Sequence, residues 1–172
     1  YKLLGYIYSS DLSRDPLLIS HYRELYEEIG AMRSVYTGNL FNSKTDYHID
    51  HLLPWSYYPI NRFWNLYPSE PSINIKKSNN IPDWTEALEE NIRIHIQVCL
   101  SHKEHPLICN DLKYYYYNLL KNRDLDIIVR ENELIEEEII SFLKIERKKL
   151  LEIVPGRIFK AIGNDQEEYL NP

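Results

Sequence analysis

Cysteine is scarce in this chain. Cys99 and Cys109 are the two present, and they lack any CxxC spacing. That excludes a disulfide framework and gives a structural zinc site no support; a reducing, cytoplasmic setting is expected. Long apolar runs are also missing. No stretch approaches the about 20 residues needed to cross a bilayer, so no membrane partner is expected. The opening Tyr1-Lys2-Leu3-Leu4-Gly5-Tyr6-Ile7-Tyr8 is too short and too polar for a signal peptide. Neither an internal repeat nor a low-complexity linker is visible. The chain starts at Tyr1 without a methionine, which leads to the expectation of a piece of a larger protein or a processed form. Positive charge is in deficit. Lys and Arg number 20 against 26 Asp and Glu, a net charge of −6, which is awkward for a protein that binds nucleic acid, because Lys and Arg contacts to phosphate drive such binding.

What is present suits one globular core. At 172 residues, with 44% hydrophobic and 27% charged residues, the chain can bury a core and carry a helical annex. Charge is unevenly spread. Lys144, Arg147, Lys148, Lys149, Arg157 and Lys160 face only Glu146 and Glu152 in one stretch, whereas 131–138 holds five glutamates. A basic run of this kind is more often a solvated helix face than a binding surface. The acidic balance therefore implies that affinity for a polyanion comes from a partner or a further domain.

The periodicity predicts four long helices. Asp15 is a candidate N-cap, Pro16 suits the first helical position and Gly30 the stop, with Leu18, Tyr22, Leu25, Tyr26 and Ile29 facing the core. Turn signals fill 31–46. A second helix is expected from near Asp83 to about His102, with Trp84, Leu88, Ile92, Ile96 and Cys99 on one stripe. A third is expected over 111–121, capped by Asp111, and a fourth from near Glu131 until Pro155-Gly156. The tail from Ala161 reads as polar and frayed. His95 falls on an apolar stripe and reads as a core histidine. Tyr115 and Tyr116 share a register with Leu112 and read as core, while Tyr114 and Tyr117 face elsewhere. The tryptophans Trp55, Trp64 and Trp84 read as core rather than ligand contacts.

Residues 46–82 break the helical pattern and carry the chemistry. Tyr47 to His51 alternates and ends before Pro54, as a short strand entering a loop does; Leu66 to Ser69 is the candidate returning strand. Pro71 to Asn79 is a candidate helix with Asn74, Lys77 and Ser78 on one side. A helix packed across that hairpin brings Asp50 and Asn74 together. A carboxylate and an amide oxygen are hard ligands suited to Mg²⁺. The imidazole of His51 can accept a proton from water.

In order along the chain stand Asp50-His51-x-x-Pro54-x-Ser56, then Asn65-Leu66, then Asn74-x-x-Lys77-Ser78. These three blocks resemble the HNH endonuclease family, the ββα-metal fold also found in colicin nucleases, some restriction enzymes and the nuclease lobe of RNA-guided CRISPR effectors. The resemblance covers about 46–82 and nothing outside it. The resemblance implies a ββα-metal finger; with the helices read from periodicity, the expectation is an α+β, predominantly helical chain with that finger embedded among about four α-helices. The expected layout is a single nuclease domain over 1–172: an N-terminal helix and loop to 45, the metal core over 46–82, a helical annex over 83–160 and a tail over 161–172.

By the same resemblance, Asp50 and Asn74 hold a single divalent metal, Mg²⁺ or Mn²⁺. His51 is the general base and Asn65 fixes the loop that aims it, the two forming the catalytic set. Lys77 is expected near substrate phosphate as a point charge. His48, open between the metal face and a bond to a loop carbonyl, is carried with Arg62 as a candidate substrate contact. The implied reaction is hydrolysis of DNA to 5′-phosphate and 3′-hydroxyl ends, RNA not being excluded. A targeting domain or protein partner is implied, with restriction or phage defence as the setting by analogy. The chain departs from many members in lacking the CxxC pairs of a structural zinc; Ser69 and Ser72 stand where one pair would be. Singly, each residue has a plain explanation, such as a turn for Asn65 or a helix cap for Asn74. The alternative of another class is a catalytically silent fold kept as a protein- or nucleic-acid-binding scaffold.

Overall fold

The computed structural model describes residues 16–119 and 131–160. Five α-helices and two small sheets occur among them, with about 53% of the described residues helical. Helix α1 (Pro16–Glu28) starts on its proline, whose fixed φ and missing N–H suit the first turn. It buries Tyr22, Leu25 and Tyr26 and stops before Gly30, whose φ of +74° a side chain would disfavour. The expected cap Asp15 lies outside the described residues, as do 120–121 and the tail from Ala161.

A looped segment then leads to strand β1 (His48–His51), which pairs antiparallel with β2 (Leu66–Ser69). The register sets His48 opposite Ser69, Asp50 opposite Tyr67 and His51 opposite Leu66. Helix α2 (Pro71–Lys77) follows at once, again with proline in its first turn. Both strands and the short helix match the expected hairpin and helix, the helix ending two residues before Asn79 at Lys77. One turn holds this end: Ser78 takes a φ of 49° while its N–H bonds the Asn74 carbonyl.

Helix α3 (Glu86–Ser101) starts later than expected. Asp83 and Trp84 stay outside it, because Thr85 is the better cap: its hydroxyl accepts from the Leu88 N–H at 3.1 Å. Its buried stripe is Leu88, Ile92, His95, Ile96, Cys99 and Leu100. Helix α4 (Pro106–Tyr114) starts earlier than the expected Asp111, with Pro106 in its first turn and His105 as cap. Asp111 is no cap at all but a fully buried carboxylate in mid-helix. A π-helical turn, Tyr115–Leu119, continues α4. It turns Tyr115 and Tyr116 into the core as expected, and leaves Tyr117 exposed.

Helix α5 (Asn132–Ile153) packs along α3 and ends before Pro155 and Gly156. Strand β3 (Ile81–Pro82) pairs parallel with β4 (Ile158–Phe159), and Arg147 of α5 donates to the Pro82 carbonyl at 2.7 Å. The end of α5 is thus fastened just after α2. Trp64, Phe63 and Tyr67 fill the core between hairpin and helices; Trp64 meets Tyr115 edge to face at 5.5 Å.

Candidate active site

Helix α1, strand β1 and α2 border a cavity of about 510 Å³ whose lining includes Asp50, His51 and Asn74. A second cavity shares those three residues and adds Pro54, Trp55, Lys77 and Ser78. Asp50 comes from the end of β1, Asn74 from α2 and His51 from the last position of β1, so the sequence pattern and the fold bring together the three residues expected to act as ligands and base.

Asp50 is 6% exposed and tightly held. The Tyr36 hydroxyl donates to Oδ2 at 2.8 Å. The Lys77 ammonium lies 3.1 Å from Oδ2 and 3.3 Å from Oδ1, and donates to the His51 carbonyl at 2.7 Å. A carboxylate offers about four lone pairs. Oδ2 uses two of its own on these partners and Oδ1 spends one on a long contact, which leaves a site on Oδ1 for a cation. Burial and the Asp50 charge push the Tyr36 phenol well above its ordinary range, so this hydroxyl stays a donor.

His51 is 8% exposed. Its Nε2 is 2.8 Å from Asn61 Oδ1, and its ring lies 5.1 Å from that of Trp55. An amide oxygen only accepts, so Nε2 carries the proton and the lone pair of the neutral ring is on Nδ1. Asn65 braces the loop that follows β1. Its Oδ1 accepts from the Leu53 N–H at 2.8 Å, and its Nδ2 donates to the carbonyls of Leu53 and Ile60 at 3.2 and 3.1 Å. Fully buried, it clamps both ends of the turn that carries Trp55 and leads to Asn61, and so positions rather than touches a reacting group.

The expected substrate contacts fall differently. Lys77, at 1% exposure, borders the second cavity but is drawn onto the buried Asp50 carboxylate. Arg62 lines neither cavity. Its guanidinium is 3.2 Å from Asp111 and stacks 4.3 Å over the Tyr114 ring, because Asp111 is buried and needs a cation. Tyr22 and the Phe63 N–H also donate to Asp111, at 2.6 and 2.9 Å. Burial nonetheless pushes the Asp111 carboxyl up from 3.8 to about 6. His48 is exposed beside Asn74, with Nδ1 3.4 Å from Asn74 Nδ2.

Sequence reasoning missed Tyr36 and Asn61. Tyr36 sits in a loop that reads only as turns, and its position depends on Ser34, whose hydroxyl accepts from the Tyr36 and Thr37 N–H groups. Asn61 lies in a loop of no regular period, and no motif spacing singles it out. Trp55 also differs from expectation, since it lines a cavity instead of filling the core.

The donor set suits a hard divalent cation with waters completing its shell. Among the described residues, no group of three or more His, Cys, Asp or Glu could hold a metal ion. No helix among the described residues is long and apolar enough to cross a membrane. No curated protein and no solved structure matches the chain. Residues 34–83 match the family model described as HNH endonuclease, and that match takes in the loop of Tyr36, the hairpin and α2, which carry Asp50, His51 and Asn74, but not α1.

Proposed function

We propose that the chain is a metal-dependent endonuclease that hydrolyses phosphodiester bonds in DNA, leaving 5′-phosphate and 3′-hydroxyl ends. The observation that carries this is that Asp50, His51 and Asn74 together line one cavity. A nuclease-type function is what the family match supports, and HNH nucleases act on nucleic acids and typically use a divalent metal.

Asp50 and Asn74 would hold one divalent cation, Mg²⁺ or Mn²⁺, through oxygen donors. When bound, the cation supplies Lewis-acid stabilisation of charge on the scissile phosphate and the leaving 3′-oxygen. His51 takes the proton of the attacking water on Nδ1, while Asn61 holds Nε2–H and fixes the ring. Asn65 keeps the connecting loop in one shape, so the base does not need to be ordered at each turnover. Lys77 and Tyr36 hold the Asp50 carboxylate in one orientation and offset its burial.

With a net charge of −6, the domain is proposed to work as a nuclease module over 1–172 that another domain or subunit brings to DNA, in a reducing cytoplasm and in restriction or phage defence. Incubation with plasmid DNA and Mg²⁺ or Mn²⁺ tests it. Nicking is expected with metal and is expected to vanish with EDTA and in His51→Ala. Cleavage that persists in His51→Ala, or no cleavage even with the targeting partner supplied, overturns it.

One observation favours a second reading. The Asp50 charge is already balanced by Lys77, as in a silent scaffold whose metal site is closed by its own lysine. Calorimetry with Mn²⁺ separates the two: the scaffold shows no heat that depends on Asp50 and Asn74.

A further inference from the structure

The cavity at Asp50 continues along the protein. Ser20 and Arg23 of α1 line it together with His51, and the same two residues line an adjoining chamber of about 380 Å³ with Lys44, Thr45 and His48. Arg23 is therefore the cation at the junction of a groove that runs from the hairpin across α1. Its backbone is fixed there, since the Tyr47 hydroxyl donates to the Arg23 carbonyl at 3.3 Å.

The guanidinium of Arg23 differs from those of the other half-buried arginines. Arg33 donates to the Gly38 carbonyl, Arg62 to Asp111, Arg93 to glutamates of α3 and α5, and Arg147 to Pro82 and Asp83. Arg23 Nε is buried without any hydrogen-bond partner. A buried donor left unpaired is costly and calls for an explanation. An acceptor that arrives with the substrate supplies one.

We infer that Arg23 binds a backbone phosphate of the substrate strand next to the one attacked beside His51, so that the strand crosses α1 on its way into the cavity. This rests on the nuclease reading. The planar fork of a guanidinium matches two phosphate oxygens at once, and Ser20 is one turn away on the same helix face with a hydroxyl donor. The outer chamber contributes less. Lys44 is 3.7 Å from Glu27, and Glu24 stands in its wall, so charge there is near balance and the inner end carries the contact. An acidic protein can in this way hold a polyanion through one cation set at the point of use.

The test measures binding of the full chain to a DNA duplex and an RNA duplex of the same sequence, in EDTA, over a series of salt concentrations. Arg23→Ala is expected to lower the slope of log K against log[salt] on DNA by about 0.9. In Mg²⁺ it is expected to raise KM several-fold while kcat stays near wild type, with Arg23→Lys recovering part of the loss. Lys113→Ala, which removes the same charge on exposed α4, is expected to change neither. Loss on either duplex supports the site and names its source. An unchanged slope and KM in Arg23→Ala, with the wild type still cutting, overturns the inference and leaves the nuclease reading intact. Binding that depends on Arg23 in a chain that cuts neither duplex keeps the phosphate site and removes the nuclease reading. A wild type that binds neither duplex overturns the inference and leaves the nuclease reading to the cleavage test with its targeting partner.

Discussion

At the scale of single residues, the chemistry depends on how few ways each side chain can be placed. His51 has one nitrogen tied to Asn61 at 2.8 Å, and that bond decides which nitrogen can act as base. Asn61→Ala removes the acceptor, so the ring loses its preferred tautomer and orientation. The expected result is a fall in kcat on the order of 10²-fold, with KM little changed and the circular dichroism spectrum of the folded chain retained. A variant with wild-type kcat would show that Asn61 does not aim the base. Asp50, His51, Asn65 and Asn74 were legible in the sequence because a short motif fixes their spacing. Asn61 and Tyr36 were not, because their roles come from loop geometry that no periodicity encodes. Lys77 and Arg62 were legible as cations only. Their destinations depend on Asp50 and Asp111 being buried, and burial of a carboxylate is a property of the tertiary structure.

Between elements, one ion pair joins α2 to β1. Lys77 reaches from the end of α2 to the Asp50 carboxylate and the carbonyl of His51. Removing one partner of a buried pair leaves the other charge uncompensated. Lys77→Met is expected to destabilise the fold by about 3–5 kcal/mol, read from urea unfolding. Added Mn²⁺ is expected to restore more stability to this variant than to the wild type, because a cation on Asp50 then replaces the missing ammonium. Equal metal effects in both proteins would argue against Asp50 as a ligand. The elements themselves were largely readable: the hairpin and α2 from alternation and proline placement, α3 and α5 from their apolar stripes. The start of α4 was misplaced at Asp111 because an acidic residue before an apolar run resembles a cap, while Pro106 was the stronger signal. The two-residue pair of β3 with β4 is too short for any pattern to announce.

Across the whole molecule, two buried titrating groups act against each other. Burial holds the His95 imidazole down from 6.5 to about 3 and pushes the Asp111 carboxyl up from 3.8 to about 6. His95, with its folded value depressed, contributes stability that is present above about 6.5 and lost as pH falls toward 3. Asp111, with its folded value raised, contributes stability that is full below about 4 and lost as pH rises through 6. Each changes stability by about 1.4 kcal/mol per pH unit, with opposite sign, so between pH 4 and 6 they nearly cancel. Asp111→Asn exposes the imbalance. Relative to this variant, the wild type is expected to gain about 3 kcal/mol on going from pH 6 to pH 4. His95→Leu is expected to show the reverse trend, the wild type losing ground to it as the solution is acidified. Parallel pH profiles for wild type and Asp111→Asn would mean that the carboxyl titrates alike in both states.

The two-residue strand β4 has an effect beyond fastening α5. Its Phe159 ring meets that of Tyr36 edge-on at 5.7 Å, and Tyr36 is the phenol bonded to Asp50. The far end of the described chain therefore packs behind the phenol that holds the carboxylate. Loss of that ring would therefore free the phenol to tilt, and the Asp50 carboxylate would lose one of its two restraints, Tyr36 and Lys77, through a contact remote in sequence.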